Sequence, residues 1–448
     1  MKKTRYLLIF VFLFFVACGR ASTEPYEDGY YDNIIEEASY YYYVQEQYDP
    51  RLNDVFTSGR TRGEYIYDLD FLYNTLLENF PFIDAVLRSN GADLHARYEQ
   101  TREQIMIRND FPSDEHFAAT IRNFFIGYAR GLGHLAVMLR DAPIGLIDHI
   151  QAFSHSIEHG GTQFQAFLDE INNPATRVAF NLTDEDFLPP PVGVESFVYA
   201  STSDNVHTYI IEEGRIAYVN IMMMNFATKE IDRITLLDFF NDIANYDHLI
   251  VDIRQNPGGD GRFFTDLVMS PNISQPLRFE QNVFLMGGEH SKRLLAAWFE
   301  TEDLIRPFNP DVIANFPYFR QENIPMFNYH LHNYIYVEPL YETGIFGGKV
   351  WLLIGPNNFS AAEFALSAAK QTGFATLVGA QSGGGGLGLQ PLMLALPNSG
   401  VIVRYSASYA VDHMGRENYE HGTAPHYFNR TGMDALQTVL AMIEEGLY

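Results

Sequence analysis

The chain has a single cysteine, Cys18, among 448 residues. One thiol cannot form an intrachain disulfide and cannot supply the several cysteines of a structural zinc site. Basic residues are also scarce, since 30 Lys and Arg stand against 56 Asp and Glu, for a formal net charge of −26. There is no excess of cations to neutralise phosphates, which argues against nucleic acid, or an anionic lipid surface bound by charge, as a partner.

Long apolar runs are missing as well. Spanning a bilayer takes roughly 20 apolar helical residues, and the one candidate, Leu7–Val16, is shorter than that. It follows a basic head, and Cys18 comes directly after Ala17, where bacterial lipoprotein signals place the lipidated residue. We therefore expect residues 1–18 to be a lipoprotein-type signal, with lipidation at Cys18, on an extracytoplasmic, membrane-anchored protein of the bacterial cell envelope. Ordinary signal cleavage and an uncleaved anchor are the alternatives.

The remaining composition is that of a folded protein. Hydrophobic residues make up 47% of the chain and charged residues 19%, enough to bury a large core. The segments differ in character: residues 19–63 are acidic and Tyr-rich like a tether, 64–134 have helical periodicity, and 135–195 are mixed. Within the helical segment, Asp68 is a candidate cap for the first helix, which would end before Pro81. The other expected helices are Leu94–Ile107 and one from Ser113.

Residues 196–448 alternate strand and helix patterns, which predicts an α/β core. The expected strands are Val206–Ile211, Arg215–Ile221, His248–Ile253, Val350–Ile354 and Ala375–Gly379, with a hairpin of Leu389–Leu396 and Val401–Ser406. The expected helices are Asp232–Ile243, Phe263–Val268 and Ser360–Gln371. Gly383–Gly386 is predicted to be a flexible loop, because it lacks the Lys-Ser/Thr that a phosphate-binding loop needs.

Ser360 stands where an apolar strand meets a helix, in Asn358–Glu363. A hydroxyl there lies near the positive end of the helix dipole, and the amide of Ala361 is left unpaired and able to face an oxyanion. Serine is also a common helix N-cap, so the position alone favours a structural role.

Two other segments offer reactive or backbone groups. Asp252–Gly259 runs from a strand into a glycine turn, where Gly258 would present its N–H to a substrate carbonyl, or would simply make a tight turn. His134 follows Gly131 and Gly133, which permit close approach, although most single histidines are structural.

These three segments together resemble the tail-specific, or C-terminal-processing, serine protease family, and its tricorn-core branch more closely. The motifs that carry the likeness are Ser360–Glu363, Asp252–Gly259, Gly133–His134, Gly379–Gly384 and Glu420–His426. The resemblance implies a mixed α/β fold, with an N-terminal helical domain at 64–134 and a ClpP/crotonase-like α/β protease core at 196–448. It also implies a polypeptide substrate and no cofactor or metal.

The resemblance assigns a role to each motif residue. Ser360 would attack a peptide carbonyl, His134 would be its general base, and Glu420, or Glu417 nearby, would polarise the site through hydrogen bonds. The oxyanion donors would be the amides of Gly258, Gly259 and Ala361. The residues that would hold the motifs in place are Asp252, Arg254, Asn256 and Glu363.

Many family members use a Ser–Lys dyad, and this sequence argues against one. No lysine follows Lys370, which lies ten residues along the same predicted helix, about 15 Å from Ser360 at 1.5 Å per residue. Histidine is therefore the expected base, which favours the tricorn-like branch.

The sequence departs from that branch in three places. Gly133 replaces a polar residue that often bridges to the glutamate, Glu420 is one residue off the common spacing, and His426 replaces a closing Asp. The identity of the glutamate is therefore open. The stretch between His134 and Pro189 is short for a peptide-binding PDZ module, and we predict none.

Two alternatives belong to other functional classes. His155, Glu158 and His159 match the His-x-x-Glu-His pattern of some zinc peptidases, without a convincing third ligand, although Glu170 and Glu185 are formally available. The second alternative is a cell-surface peptide-binding protein that keeps the protease scaffold without turnover.

Overall fold

The computed structural model describes residues 49–125, 132–140, 145–158, 160–188, 204–300 and 304–447. The chain divides into two units, Met1–Pro50 and Arg51–Tyr448, and only the last two residues of the first are described. The predicted signal at 1–18, with Cys18, lies outside the described residues. In the part of the chain that is described, no helix has the length and apolar content to cross a bilayer.

The N-terminal part of the second unit is helical, as predicted. In chain order the helices are α1 Arg62–Asn79, α2 Ile83–Asn90, α3 Leu94–Ile107, α4 Asp114–Phe124, α5 Leu146–Glu158, α6 Gln165–Ile171, α7 Pro174–Ala179, α8 Lys229–Asp242, α9 Glu289–Leu294, α10 Ala296–Glu300, α11 Ala361–Thr372, α12 Asn418–His421 and α13 Ala435–Glu444. Helix α1 begins at a capping box of Thr61 and Glu64, so the prediction that Asp68 is its cap is wrong. Asp68 is buried inside α1 and accepts hydrogen bonds from the amides of Asn398 and Ser399.

Part of the segment predicted as a tether belongs to the folded unit. Residues 51–63 precede α1, and within them Leu52 and Phe56 are buried, the ring of Phe56 lying 5.2 Å from that of Phe111. The same unit holds the predicted segments 64–134, 135–195 and 196–448, and their boundaries stay predictions. The described residues of the middle segment are mostly in α5, α6 and α7.

The main sheet has six strands. In chain order the strands within the described residues are β1 Ala136–Val137, β2 Val206–Glu212, β3 Ile216–Ile221, β4 His248–Asp252, β5 Leu277–Leu285, β6 Ile305–Pro307, β7 Tyr329–Val337, β8 Lys349–Ile354, β9 Thr376–Gly379, β10 Leu392–Ala395, β11 Ile402–Tyr405, β12 Ser408–Val411 and β13 Tyr427–Phe428. The main sheet has the order β13–β9–β8–β4–β3–β2 and is parallel except for the β2–β3 pair.

Helices cover both faces of this sheet, which explains why the middle residues of β4 and β8 are apolar. Side chains alternate along β4, so that Leu249 and Val251 join the core under α8 and α11 while Ile250 faces α13. A one-turn π-helix, Thr265–Met269, stands where the sequence predicted a helix at 263–268, and it packs in the first of these cores.

Two smaller sheets complete the fold. One has the order β12–β5–β7–β6, and its long strands β5 and β7 were not predicted. The other has the order β1–β11–β10 and contains the predicted hairpin, shortened to Leu392–Ala395 and Ile402–Tyr405. The short strand β1 pairs with β11 and so brings the chain just after His134 onto this sheet. The prediction of a mixed α/β fold is confirmed.

Candidate active site

The main sheet places two of the predicted motifs side by side. Strands β4 and β8 are parallel neighbours, and their carboxyl ends lead into the turn at 253–259 and the segment at 355–360. Asn358 is fully buried and ties the two segments together, because its side chain donates to the carbonyl of Ile253 and accepts from the amide of Gly355 at 2.8 Å. Ligands of open α/β sheets bind at this kind of edge.

Ser360 is held in an unusual backbone conformation, with φ 55° and ψ −122°. Its side chain does not cap α11, which leaves the hydroxyl available for another partner. Among the described residues, only His134, Asn181 and Ser360 combine a side chain beyond glycine with positive φ. Such conformations cost of order 1–3 kcal/mol each and cluster at functional sites.

The partner of Ser360 is His134. Its Nε2 lies 3.0 Å from the Ser360 Oγ, and the imidazole is buried, with 6% of the residue exposed. The ring of Phe359 packs against the imidazole, with 4.7 Å between centroids. The two residues are 226 positions apart, so the fold has brought together two side chains that only their motifs linked.

The surroundings of the imidazole favour its neutral form. Burial, and then the positive charge of Arg404, keep the pKa of His134 well below its usual range. A neutral imidazole can accept the proton of a hydroxyl, so this environment suits a general base.

Two hydroxyls occupy the other side of the imidazole. The His134 Nδ1 lies 2.5 Å from the Tyr419 hydroxyl and 3.1 Å from the Ser406 Oγ, which are themselves 2.6 Å apart. If Nε2 accepts the serine proton, Nδ1 must carry the ring proton and donate it to this pair. Sequence reasoning missed both residues; the signal for Tyr419 was its place between the two candidate glutamates.

Neither predicted glutamate is hydrogen-bonded to the imidazole. Glu417 is buried at the start of α12, where its carboxylate accepts from the amides of Tyr419, at 2.8 Å, and Glu420, at 2.7 Å. Burial raises the pKa of Glu417 to about 8. Glu420 is instead paired with Arg88, at 3.1 Å, and Arg320, at 3.2 Å. Glu417 therefore fixes the backbone that carries Tyr419, and Glu420 ties the same short helix to Arg88 and Arg320.

The predicted oxyanion donors are in different situations. No hydrogen bond leads from the amide of Ala361 to another described residue, whereas the amide of Gly258 donates to the Asn256 Oδ1 at 2.8 Å. Gly258 lies directly beside the nucleophile: a Cβ added to it would be 2.8 Å from the Ala361 nitrogen and 2.9 Å from the Ser360 Cβ. A space with one free donor thus stands next to the hydroxyl.

Gly259 has a different structural reason to be glycine. Its φ is +132°, and a Cβ on it would lie 2.1 Å from the carbonyl oxygen of Met224. The Met224 amide donates to the Gly258 carbonyl at 3.0 Å, and the Met224 carbonyl accepts from the Asp260 amide at 2.7 Å. Among the described residues the Gly259 amide has no acceptor, so of the two glycines it is the one with an unused N–H.

The remaining motif residues hold the turn. Asp252 accepts from the Arg254 guanidinium at 2.7 Å and from the Tyr218 hydroxyl at 2.7 Å. Asn256 is fully buried and donates to the Ile221 carbonyl at 3.1 Å. These contacts fix the turn that approaches Ser360, as the sequence predicted for Asp252, Arg254 and Asn256.

Glu363 links the nucleophile helix to the segment that carries Tyr419. Its buried carboxylate accepts from the Asn418 Nδ2 at 2.8 Å and from the Thr423 hydroxyl at 2.5 Å, and burial raises its pKa. Asn418 is the first residue of α12, so this contact sets the distance between α11 and α12.

The loop Gly383–Gly386, predicted to be flexible, packs tightly around the nucleophile. The Gly384 carbonyl accepts from the Ser360 amide at 3.2 Å, and a Cβ on Gly386 would lie 2.0 Å from the Ser360 carbonyl oxygen. A Cβ on Gly385 would meet the rings of Phe359 and Tyr419, each at 2.5 Å. These glycines are required for close approach rather than for flexibility.

The described residues support neither a lysine base for Ser360 nor a zinc site as well as they support the contact between Ser360 and His134. The Lys370 Nζ donates to the Ala424 carbonyl at 2.7 Å, away from the hydroxyl of Ser360. His155 lies on α5 near the ring of Phe226, but His159 and the side chain of Glu158 lie outside the described residues. Within the described ranges no group of three His, Cys, Asp or Glu is arranged to hold a metal ion.

The sequence of the α/β core matches a known protein family. Residues 215–428 match the sequence profile of Peptidase family S41. The chain contains a peptidase family S41 domain. It is a serine-type peptidase, and the match supports the predicted resemblance to the tail-specific, C-terminal-processing family.

Solved structures with a similar chain path include several peptidases. A putative peptidase from Parabacteroides merdae is 16% identical, with 86% of this chain and 97% of that chain covered and a TM-score of 0.47. Mature CPAF is 13% identical, over 86% and 96% of the two chains, with a TM-score of 0.49. The photosystem II D1 C-terminal processing protease is 10% identical, over 82% and 92%, with a TM-score of 0.39. No curated protein sequence matches. All three TM-scores are below 0.5, so the family assignment rests on the S41 profile.

Proposed function

We propose that this S41 peptidase cleaves extended or unfolded polypeptides through an acyl-enzyme on Ser360, with His134 as general base. The observation that carries the proposal is the 3.0 Å contact between the Ser360 Oγ and the Nε2 of a buried, neutral His134. The positive φ of both residues supports a functional reason for their placement.

The proposed chemistry follows the serine peptidase scheme. His134 takes the proton of Ser360 as the Oγ bonds to the peptide carbonyl carbon, and negative charge develops on the carbonyl oxygen. The free amide of Ala361 donates to that oxygen, in the space that Gly258 leaves open. The C–N bond then breaks as the imidazolium protonates the leaving amine. Water, deprotonated by His134, hydrolyses the ester and restores both side chains.

An extended substrate suits the surroundings of the nucleophile. The scissile carbonyl must reach the Ala361 amide beside the Gly258 turn, and backbone pairing along the turn segment would present it there. A folded substrate would have to unpair its own backbone to do so. We therefore place the substrate class as unstructured chains, without a cofactor.

The test is hydrolysis of an unfolded protein, casein, beside a folded one, by the purified chain lacking residues 1–48. We expect cleavage of casein that is lost in Ser360→Ala and His134→Ala and unaffected by EDTA. Loss with EDTA but retention in Ser360→Ala would favour the zinc peptidase of His155, Glu158 and His159 instead.

A peptide-binding protein without turnover is the second candidate. The absence of a carboxylate bonded to the His134 Nδ1 among the described residues favours it, because such a carboxylate usually stabilises the imidazolium. Peptide binding by the wild-type chain with no cleavage of any unfolded protein would select this candidate.

We also propose that residues 1–18 direct the chain out of the cytoplasm and that Cys18 is lipidated. The support is the sequence pattern of a basic head, a short apolar run and Ala17-Cys18. Metabolic labelling with a fatty-acid analogue should mark the wild type and not Cys18→Ala. Equal labelling of both, or none of either, contradicts the proposal.

A further inference from the structure

Arg404 is a half-buried guanidinium with no acidic partner among the described residues. It lies in β11, opposite Ala136 of β1 and Met393 of β10. Its Nε is fully buried without a hydrogen-bond partner. Arg293, by contrast, is paired with the buried Glu170. A guanidinium has donors only, and leaving a buried donor unpaired is destabilising.

The position of Arg404 relates it to the catalytic histidine. Ser406 lies two residues further along and contacts the His134 Nδ1, and Ala136, the strand partner of Arg404, lies two residues after His134. Side chains two apart on an extended chain lie on the same side, so the side chain of Arg404 leaves β11 on the side of the Ser406 hydroxyl that contacts Nδ1. Its charge also contributes to the lowered pKa of His134 and of the neighbouring His149.

The groups that interact with Arg404 do not neutralise it. They are His134, His149 and Tyr419, and none of them carries a negative charge in its usual state. Formation of an imidazolium beside an unpaired guanidinium is unfavourable, and the proposed mechanism needs that imidazolium. An anion at Arg404 would remove this repulsion and satisfy the buried Nε.

We propose that Arg404 is an anion-binding site that takes a carboxylate and holds it beside the imidazole of His134. The planar fork of the guanidinium matches a carboxylate, and the site supplies the negative charge that the imidazole lacks. The carboxylate can belong to the polypeptide substrate or to a small free acid, since both share this chemistry. The activating effect rests on the proposed function; the binding does not.

Binding is tested without catalysis, on the Ser360→Ala protein. Acetate replaces chloride at constant sodium concentration while the thermal unfolding midpoint is measured. We expect a saturable rise in the midpoint, with an affinity about tenfold to a hundredfold weaker in Ser360→Ala/Arg404→Gln. Arg233→Gln, which removes a guanidinium from α8, is the control and should keep the response. An equal response with and without Arg404, or none at all, overturns the proposal, even if the enzyme is active.

Activity distinguishes the two sources of the carboxylate. A peptide that contains no Asp or Glu is made in two forms, one with an amidated carboxyl terminus and one with a free carboxyl terminus. Cleavage of the two forms is compared with and without acetate. If a free acid is the ligand, acetate raises the kcat for the amidated peptide; if the substrate supplies it, the free-acid peptide has the lower KM and ignores acetate. Either effect should vanish in Arg404→Gln, and Arg404→Lys, which keeps the charge but not the fork, should keep only part of it. Effects that persist in Arg404→Gln contradict the proposal.

Discussion

Replacing Gly258 by alanine tests the oxyanion space directly. The added Cβ would lie 2.8 Å from the Ala361 nitrogen, 2.9 Å from the Ser360 Cβ and 2.6 Å from the Phe359 carbonyl oxygen. The first contact fills the space in which the substrate oxyanion must sit. The second pushes on the nucleophile itself. The residue also has φ +105°, where an alanine is strained.

The expected magnitude follows from what the methyl group blocks. Loss of one oxyanion donor lowers kcat by about 10²- to 10³-fold in serine peptidases. Backbone strain adds a loss of stability of about 1–3 kcal/mol, which is separable from the kinetic effect. We expect the fall in kcat to be larger than any change in KM, because the space is used by the transition state rather than by the bound substrate.

The assay is steady-state cleavage of a fluorogenic peptide together with thermal unfolding. Gly261→Ala is a matched control, since a Cβ on Gly261 meets nothing within 4 Å. It should keep wild-type kcat. A Gly258→Ala enzyme that folds and keeps kcat within about threefold of wild type would refute the assigned geometry.

Three further predictions concern the surrounding groups. Tyr419→Phe removes the hydroxyl 2.5 Å from the His134 Nδ1 and should lower kcat by about tenfold to a hundredfold with little change in KM, whereas Tyr427→Phe, 49% exposed, should have no effect. Because the pKa of His134 is lowered and the base acts in its neutral form, kcat/KM should stay flat as pH falls through about 6.5, and a loss centred there would contradict the assigned environment. Burial alone would raise the pKa of Glu170, but the charge of Arg293 and further hydrogen bonds outweigh it and lower the pKa to about 2. The ionised Glu170 therefore stabilises the folded state above about pH 4.5, and this contribution is lost as the pH falls toward 2. In denaturant unfolding, Glu170→Gln should lower the free energy of unfolding by about 3 kcal/mol at pH 7, and this difference from the wild type should shrink below pH 4.5. A difference that stays the same across that window would contradict the assigned pKa of Glu170.

Local signals predicted much of the fold correctly. Helix α3 has the predicted bounds because its start is marked by a side-chain cap, Asp93, and its end by a break in periodicity. The buried strand β4 was recognisable as a short apolar run bounded by turn residues. Strands β5 and β7 escaped prediction because they pair across some fifty residues and alternate exposed polar and aromatic residues, as a loop also can.

The site was predictable only where a motif marked it. Ser360 and His134 stood in motifs, and the structure brings them into contact. The hydroxyls of Ser406 and Tyr419 carried no such mark, because their role depends on segments that meet only after folding. The same reason explains why the sequence left the choice between Glu417 and Glu420 open: a spacing along the chain cannot say whether a carboxylate faces a side chain or a backbone amide.

The most direct test of the central claim, an activated Ser360 supported by His134, is labelling with a fluorophosphonate probe. The wild-type chain, Ser360→Ala and His134→Ala are treated in parallel, and the modified residue is located by mass spectrometry. The account predicts an adduct on Ser360 in the wild type, none in Ser360→Ala, and strongly slowed labelling in His134→Ala. Wild-type protein that cleaves peptides without reacting, or that reacts at the same rate without His134, would contradict it.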